Sequence, residues 1–133
     1  MLPKRLLLAT PLLMLSKAAL ASPRVARVRF HLPGNDTPVA SFRPSAPAIH
    51  VLAELASATS GMQVRLVWFA VNTEDTPPNT RIIEQTINVT DRRMDTLRGN
   101  LTLNGAPWPT GEYRVDFLMI DAPVTSGTFR VAA

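Results

Sequence analysis

The sequence predicts an all-β protein, a seven-stranded antiparallel sandwich behind a cleaved leader, and three observations predict it. Apolar residues recur with a period of two in segment after segment, as in strands with one face buried. Turn-forming residues separate those segments at short intervals. Two stretches stand out as strands, Gln63–Val71, apolar on both sides, and Trp108–Ile120, whose one apolar face needs an opposing sheet.

The chain opens on a processing signal. Lys4 and Arg5 precede a mostly apolar run from Leu6 to Ser16, and Ala19-Leu20-Ala21 has the small-x-small form of a signal-peptidase site. Pro11 and Lys17 break that run, which is too short for a membrane-spanning helix of about 20 residues. Residues 1–21 are therefore expected to be a signal peptide, and residues 22–133 a single domain. No cysteine follows Ala21 to carry a lipid, so the mature protein is expected free in a bacterial periplasm or outside the cell, with no stable membrane anchor. Removing 21 of the 133 residues leaves 112, ample for one core and too few for two.

Charge and composition exclude several classes. The formal charge of +4 includes Lys4, Arg5 and Lys17. Without them 11 arginines face 10 acidic residues, about +1, so nucleic acid is not an expected partner. The chain has no cysteine, which excludes thiol catalysis, thiolate metal sites and disulfide staples.

The elements follow in order. Arg24–Leu32 alternates Ala26, Val28, Phe30 and Leu32 against Arg27, Arg29 and His31, a first strand with a basic outer face. Pro33–Pro38 is loop chemistry, and the proline-broken Val39–Pro47 is an irregular edge anchored by Phe42. Ile49, Val51, Ala53 and Leu55 mark a second strand. Ala48–Ala58 is also rich enough in helix formers for about three helical turns, although its alternation favours a strand. Gln63–Val71 is a third strand with Val64, Leu66, Trp68 and Ala70 on one side. Its other side is apolar too, through Val67, Phe69 and Val71, and so calls for a cover or a partner.

Asn72–Thr80 is an exposed, proline-rich loop. Arg81–Val89 is a fourth strand, with Ile83, Ile87 and Val89 on one face and Ile82 on the other. Leu97–Leu103 is a fifth, in which Gly99 marks a bulge or a close backbone approach. Asn104-Gly105 is a tight-turn dipeptide leading through Trp108 to the sixth strand, where Tyr113, Val115, Phe117 and Met119 oppose Arg114 and Asp116. Thr125–Val131 is the seventh.

Trp68 on the third strand and Gly111-Glu112-Tyr113-Arg114-Val115 opening the sixth resemble the core tryptophan and the Gly-x-Tyr-x-Val start of bacterial exported Ig-like and fibronectin-III-like domains. The resemblance spans residues 22–133 and implies an Ig-like β-sandwich. It also implies a tyrosine corner, in which the Tyr113 hydroxyl ties back to nearby backbone. It carries no catalytic residues.

Chemistry is thinly represented. His31 and His50 are the only histidines, two nitrogens that approach each other if the first two strands pair, for a weak copper or zinc site where structural zinc takes four ligands. A copper brace needs an N-terminal histidine, and cleavage after Ala21 leaves Ser22. None of Ser22, Ser41, Ser45, Ser57, Ser60 and Ser126 lies in a Gly-x-Ser-x-Gly elbow. Glu74, Asp75, Asp91 and Asp95 lie in loops, where solvation accounts for them. No enzyme and no cofactor is expected. The expected function is an exported, non-catalytic binding or structural module that contacts another exported or cell-envelope protein through a sheet face or an edge strand, with Val67 and Phe69 as the candidate contacts. The alternative is carbohydrate or cell-wall binding by Trp108, held between Pro107 and Pro109, together with the acidic loops. A copper or zinc carrier at His31 and His50 ranks third.

Overall fold

A computed structural model describes residues 22–103 and 105–133, so the expected signal peptide and Asn104 of the Asn-Gly turn lie outside the described residues. The strands are β1 (Arg24–His31), β2 (Ser41–Phe42), β3 (Ile49–Ala56), β4 (Gln63–Thr73), β5 (Thr80–Asn88), β6 (Thr96–Leu101), β7 (Gly111–Leu118) and β8 (Thr125–Val131). They form a three-stranded sheet in the order β1-β3-β6 and a five-stranded sheet in the order β2-β8-β7-β4-β5. The described residues contain no helix, so residues 49–56 are strand as their alternation favours.

The eighth strand is β2, the part of the Val39–Pro47 segment that holds Phe42. It pairs parallel to β8, the one departure from an antiparallel sandwich. Pro44, two residues past Phe42, has no donor to extend the ladder, which explains the strand's two-residue length. Phe42 is buried and meets Phe129 edge-on, with ring centroids 5.7 Å apart.

The core lies between the sheets. Val64, Leu66, Trp68 and Ala70 of β4 and Tyr113, Val115 and Phe117 of β7 are all buried, facing Ile49, Val51 and Ala53 of β3 and Leu97 and Leu101 of β6. Gly99 on β6 is a close approach: a Cβ there would lie 2.8 Å from Cδ2 of Leu66 on the opposite sheet. Gly111 opens β7 at φ 139°, and a Cβ would run into the Asn72 carbonyl of β4, so no other residue fits this start.

Two register shifts move residues from their expected faces. A bulge in β1 between Val25 and Arg27 sends Val25 into the core and leaves Ala26 exposed, while Leu32 lies beyond the strand end. In β5, Trp68 is opposite Ile83 but Phe69 is opposite Arg81, so Ile82 is the extra residue of a bulge. Ile82 consequently turns to the inner side, not the outer side that strict alternation assigns it.

Candidate functional site

The outer face of the five-stranded sheet covers itself. Val67 is flanked by Glu84 on β5 and Asp116 on β7. Around it Arg65 meets Glu84 at 3.3 Å, Arg114 donates to Asp116 at 2.8 Å, and Ser126 donates to the same carboxylate at 2.6 Å. Arg130 meets Glu112 at 2.9 Å farther along. These long side chains lie over the apolar row and leave Val67 only 5% exposed. The Arg114 guanidinium sits 4.5 Å above the Phe69 ring, a cation–π contact that caps it. Val67 and Phe69 therefore do not form the open apolar contact expected from β4 alone, because the cover comes from cross-strand neighbours.

Trp108, likewise, is not the glycan platform expected of it. Its backbone N–H donates to the Pro44 carbonyl and its indole Nε1–H to the Ala46 carbonyl, each at 2.9 Å. The ring meets Tyr113 edge-on and is 2% exposed, so it plugs the end of the sandwich and presents no face to a sugar. Beneath it the Tyr113 hydroxyl donates to the Pro109 carbonyl, the corner that the Gly-x-Tyr-x-Val motif implies. Burial, and after it the charges of Glu74 and Asp75, push the Tyr113 phenol up to about 12.

The structure does bring the two histidines together. His31 and His50 are directly opposite in the β1–β3 ladder, with ring centroids 5.2 Å apart. His31 is buried, not outward and solvated, and its Nδ1 lies 2.9 Å from the Leu32 carbonyl, to which the Nδ1–H tautomer donates. Asp36 is 4.0 Å away. Burial, then His31 and Arg98, hold the His50 imidazole below its ordinary value. Among the described residues no three metal-ligating side chains cluster, so this pair stands as two ligands.

The feature that singles itself out is the free edge at β5, which the sequence marked only as a fourth strand. β5 has one neighbour, β4, and its other side meets no strand of the five-stranded sheet. Gln85 clasps it to the facing sheet, accepting from the Trp68 indole at 3.0 Å and donating to the Asn100 carbonyl at 2.7 Å. Toward the start of β5 that cover ends. Ile82 and Ile83, adjacent at the bulge, are 36% and 43% exposed although both sit on the inner side. Ile82 also borders an apolar cavity of about 200 Å³ with Ala70, Leu103, Trp108, Pro109 and Tyr113. That volume is below the roughly 300–1,000 Å³ of small-molecule sites and suits one apolar side chain. A long edge with unpaired backbone groups beside an apolar cavity is the physical requirement for strand addition, in which main-chain hydrogen bonds supply affinity and side-chain pockets supply choice.

No protein-family model and no curated protein sequence matches this chain. In three dimensions it is similar to the crystal structure of an immunoglobulin-like protein from Pseudomonas aeruginosa. The TM-score is 0.59 at 12% sequence identity, over 84% of this chain and 98% of that one. At that identity the likeness shows the fold, and the chain has an Ig-like β-sandwich fold.

Proposed function

We propose that this protein is an exported, non-catalytic binding module that docks another exported or cell-envelope protein along the free edge of β5. The observation that carries this reading is the exposed pair Ile82 and Ile83 on an unpaired edge, with Ile82 bordering an apolar cavity. The Ig-like fold supports the broader role of a binding or structural module. Export rests on the basic, apolar and small-residue tracts of residues 1–21. Of the contacts weighed from the sequence, the sheet face at Val67 and Phe69 is capped by charged side chains, which leaves the edge.

The test is photo-crosslinking in intact cells from a photoreactive residue at Ile83, compared with one at Ser126 on the outer face of β8. Protein adducts from position 83 that vanish when Ile82→Arg is added are the expected result. Equal adducts from both positions, or adducts from position 126 alone, would move the contact off the edge and overturn the proposal.

A further inference from the structure

We infer that the occupant of the β5 edge is a second copy of this chain, paired antiparallel about a two-fold axis between Ile82 and Ile83. The inference rests on the reading of β5 as a docking edge and names its partner.

The bulge sets the order of faces along β5. In an unbroken strand successive side chains alternate, and paired residues of an antiparallel ladder share a face. Along β5, Thr80 is opposite Ala70 and points inward, and Arg81 is opposite Phe69 and points outward. Ile82 lines the inner cavity, and Ile83, opposite Trp68, is also inward. Glu84 is opposite Val67 and outward, and Gln85 is inward on the Trp68 indole. The order in, out, in, in, out, in reads the same in both directions. A bulge ordinarily blunts an edge against pairing, but the same bulge on a second copy restores the match of faces.

The side chains agree with that symmetry. Ile82 falls opposite the second copy's Ile83, Thr80 opposite its Gln85, and Arg81 opposite its Glu84. The two-fold axis repeats each pair. Four exposed isoleucines meet at the centre, flanked on the outer face by two Arg–Glu pairs of opposite sign, with cross-strand Cβ atoms about 4.5–5.5 Å apart. Other registers fail. A slip of one residue sets outward Arg81 against inward Ile83, or inward Ile82 against outward Glu84. Registers centred on Arg81 or on Glu84 set like charges against each other, which is destabilising. Glu84 already gathers both Arg65 and Arg81 in one chain, at 3.3 and 3.2 Å, so its carboxylate is held on the outer face beside the edge. Asn79, at φ 57°, ends the ladder. Pairing from Thr80 to Gln85 buries a small area, so the association belongs to the weak class below about 1,200 Å² in total and is concentration-dependent. It joins the two five-stranded sheets into one continuous sheet.

The test is sedimentation equilibrium of the protein expressed from the full chain, from micromolar toward millimolar concentration, with Arg81→Glu, Glu84→Arg and an equimolar mixture of the two. The parent should dimerise, and each single reversal should weaken self-association by at least about tenfold, because both cross-strand pairs become like-charged. The mixture should dimerise again, since every 81–84 pair in the mixed dimer regains opposite signs. That recovery also excludes misfolding of either variant. A parent that stays monomeric throughout overturns the inference, as does a dimer indifferent to both reversals or a mixture that stays monomeric. A monomeric parent that still gives adducts from position 83 with another protein would sink self-pairing and leave the docking reading standing.

Discussion

β7 and β5 belong to the same sheet and each carries large apolar residues, yet those residues meet opposite fates. In β7, Tyr113, Val115 and Phe117 are 2%, 0% and 0% exposed, whereas in β5 Ile82 and Ile83 are 36% and 43% exposed. The cause is position. β7 lies between β4 and β8 and faces the three-stranded sheet, while β5 is an edge whose cover from β6 reaches no farther than the Gln85 clasp. A large apolar side chain is thus a packing element at one site and an available contact at the other, and hydrophobicity alone does not separate the two roles.

The enclosed strand is the one most sensitive to truncation. Phe117→Ala should cost about 3–5 kcal/mol, since the ring is fully enclosed and the cavity left behind cannot collapse. Against a total stability of about 5–15 kcal/mol, that is a large part of what holds the domain folded. Urea unfolding followed by tryptophan fluorescence reads it. A loss below about 1 kcal/mol would mean that β7 is not the enclosed strand its register places between β4 and β8.

Much of this contrast was legible in the sequence. The alternation of Tyr113, Val115, Phe117 and Met119 marks β7 because each inward residue is apolar and the outward Glu112, Arg114 and Asp116 are charged. Trp68 and the Gly-x-Tyr-x-Val motif place the corner correctly, and the meeting of His31 with His50 was legible as a consequence of pairing β1 with β3. The misses share one physical origin: they depend on what another part of the chain contributes. Apart from Arg65, the side chains that cover Val67 and Phe69 are Glu84 of β5 and Arg114 and Asp116 of β7, which no window on β4 contains. Trp108 is held by carbonyls at Pro44 and Ala46, the latter 62 residues away. β2 is too short to show a period. The bulge at Ile82 reverses a face through a register shift that strict alternation cannot express, and with it the exposed pair that forms the candidate site stayed hidden.

A smaller loss is expected at the start of β7. Tyr113→Phe should cost about 1–2 kcal/mol at neutral pH, because the Pro109 carbonyl loses its hydroxyl donor. The phenol adds a pH signature. The folded state holds its proton up to about 12, whereas the unfolded chain releases it near 10. Between those values the unfolded state binds fewer protons, so the stabilisation is intact below pH 10 and is lost as pH rises from 10 to 12, by roughly 2 kcal/mol. Tyr113 is the only tyrosine, so its absorbance titration reports this one group. A midpoint near 10 in the folded protein, or an equal alkaline loss in the Phe variant, would remove Tyr113 as the cause.

The smallest effect on stability is expected at the edge, and it separates folding from contact most cleanly. Ile83→Thr keeps a β-branched side chain, so the strand preference of the position is retained while its apolar end is replaced by a hydroxyl. Because Ile83 is 43% exposed, unfolding free energy should change by no more than about 0.5 kcal/mol. The same change removes apolar area from the centre of the paired edges, where Ile82 and Ile83 of both copies meet, so self-association should weaken several-fold. An edge that served packing would show the opposite pattern, a stability loss approaching the Phe117→Ala value with association unchanged. Urea unfolding and sedimentation on the same preparation therefore decide whether the exposed isoleucines of β5 belong to the core's margin or to a surface built to be covered.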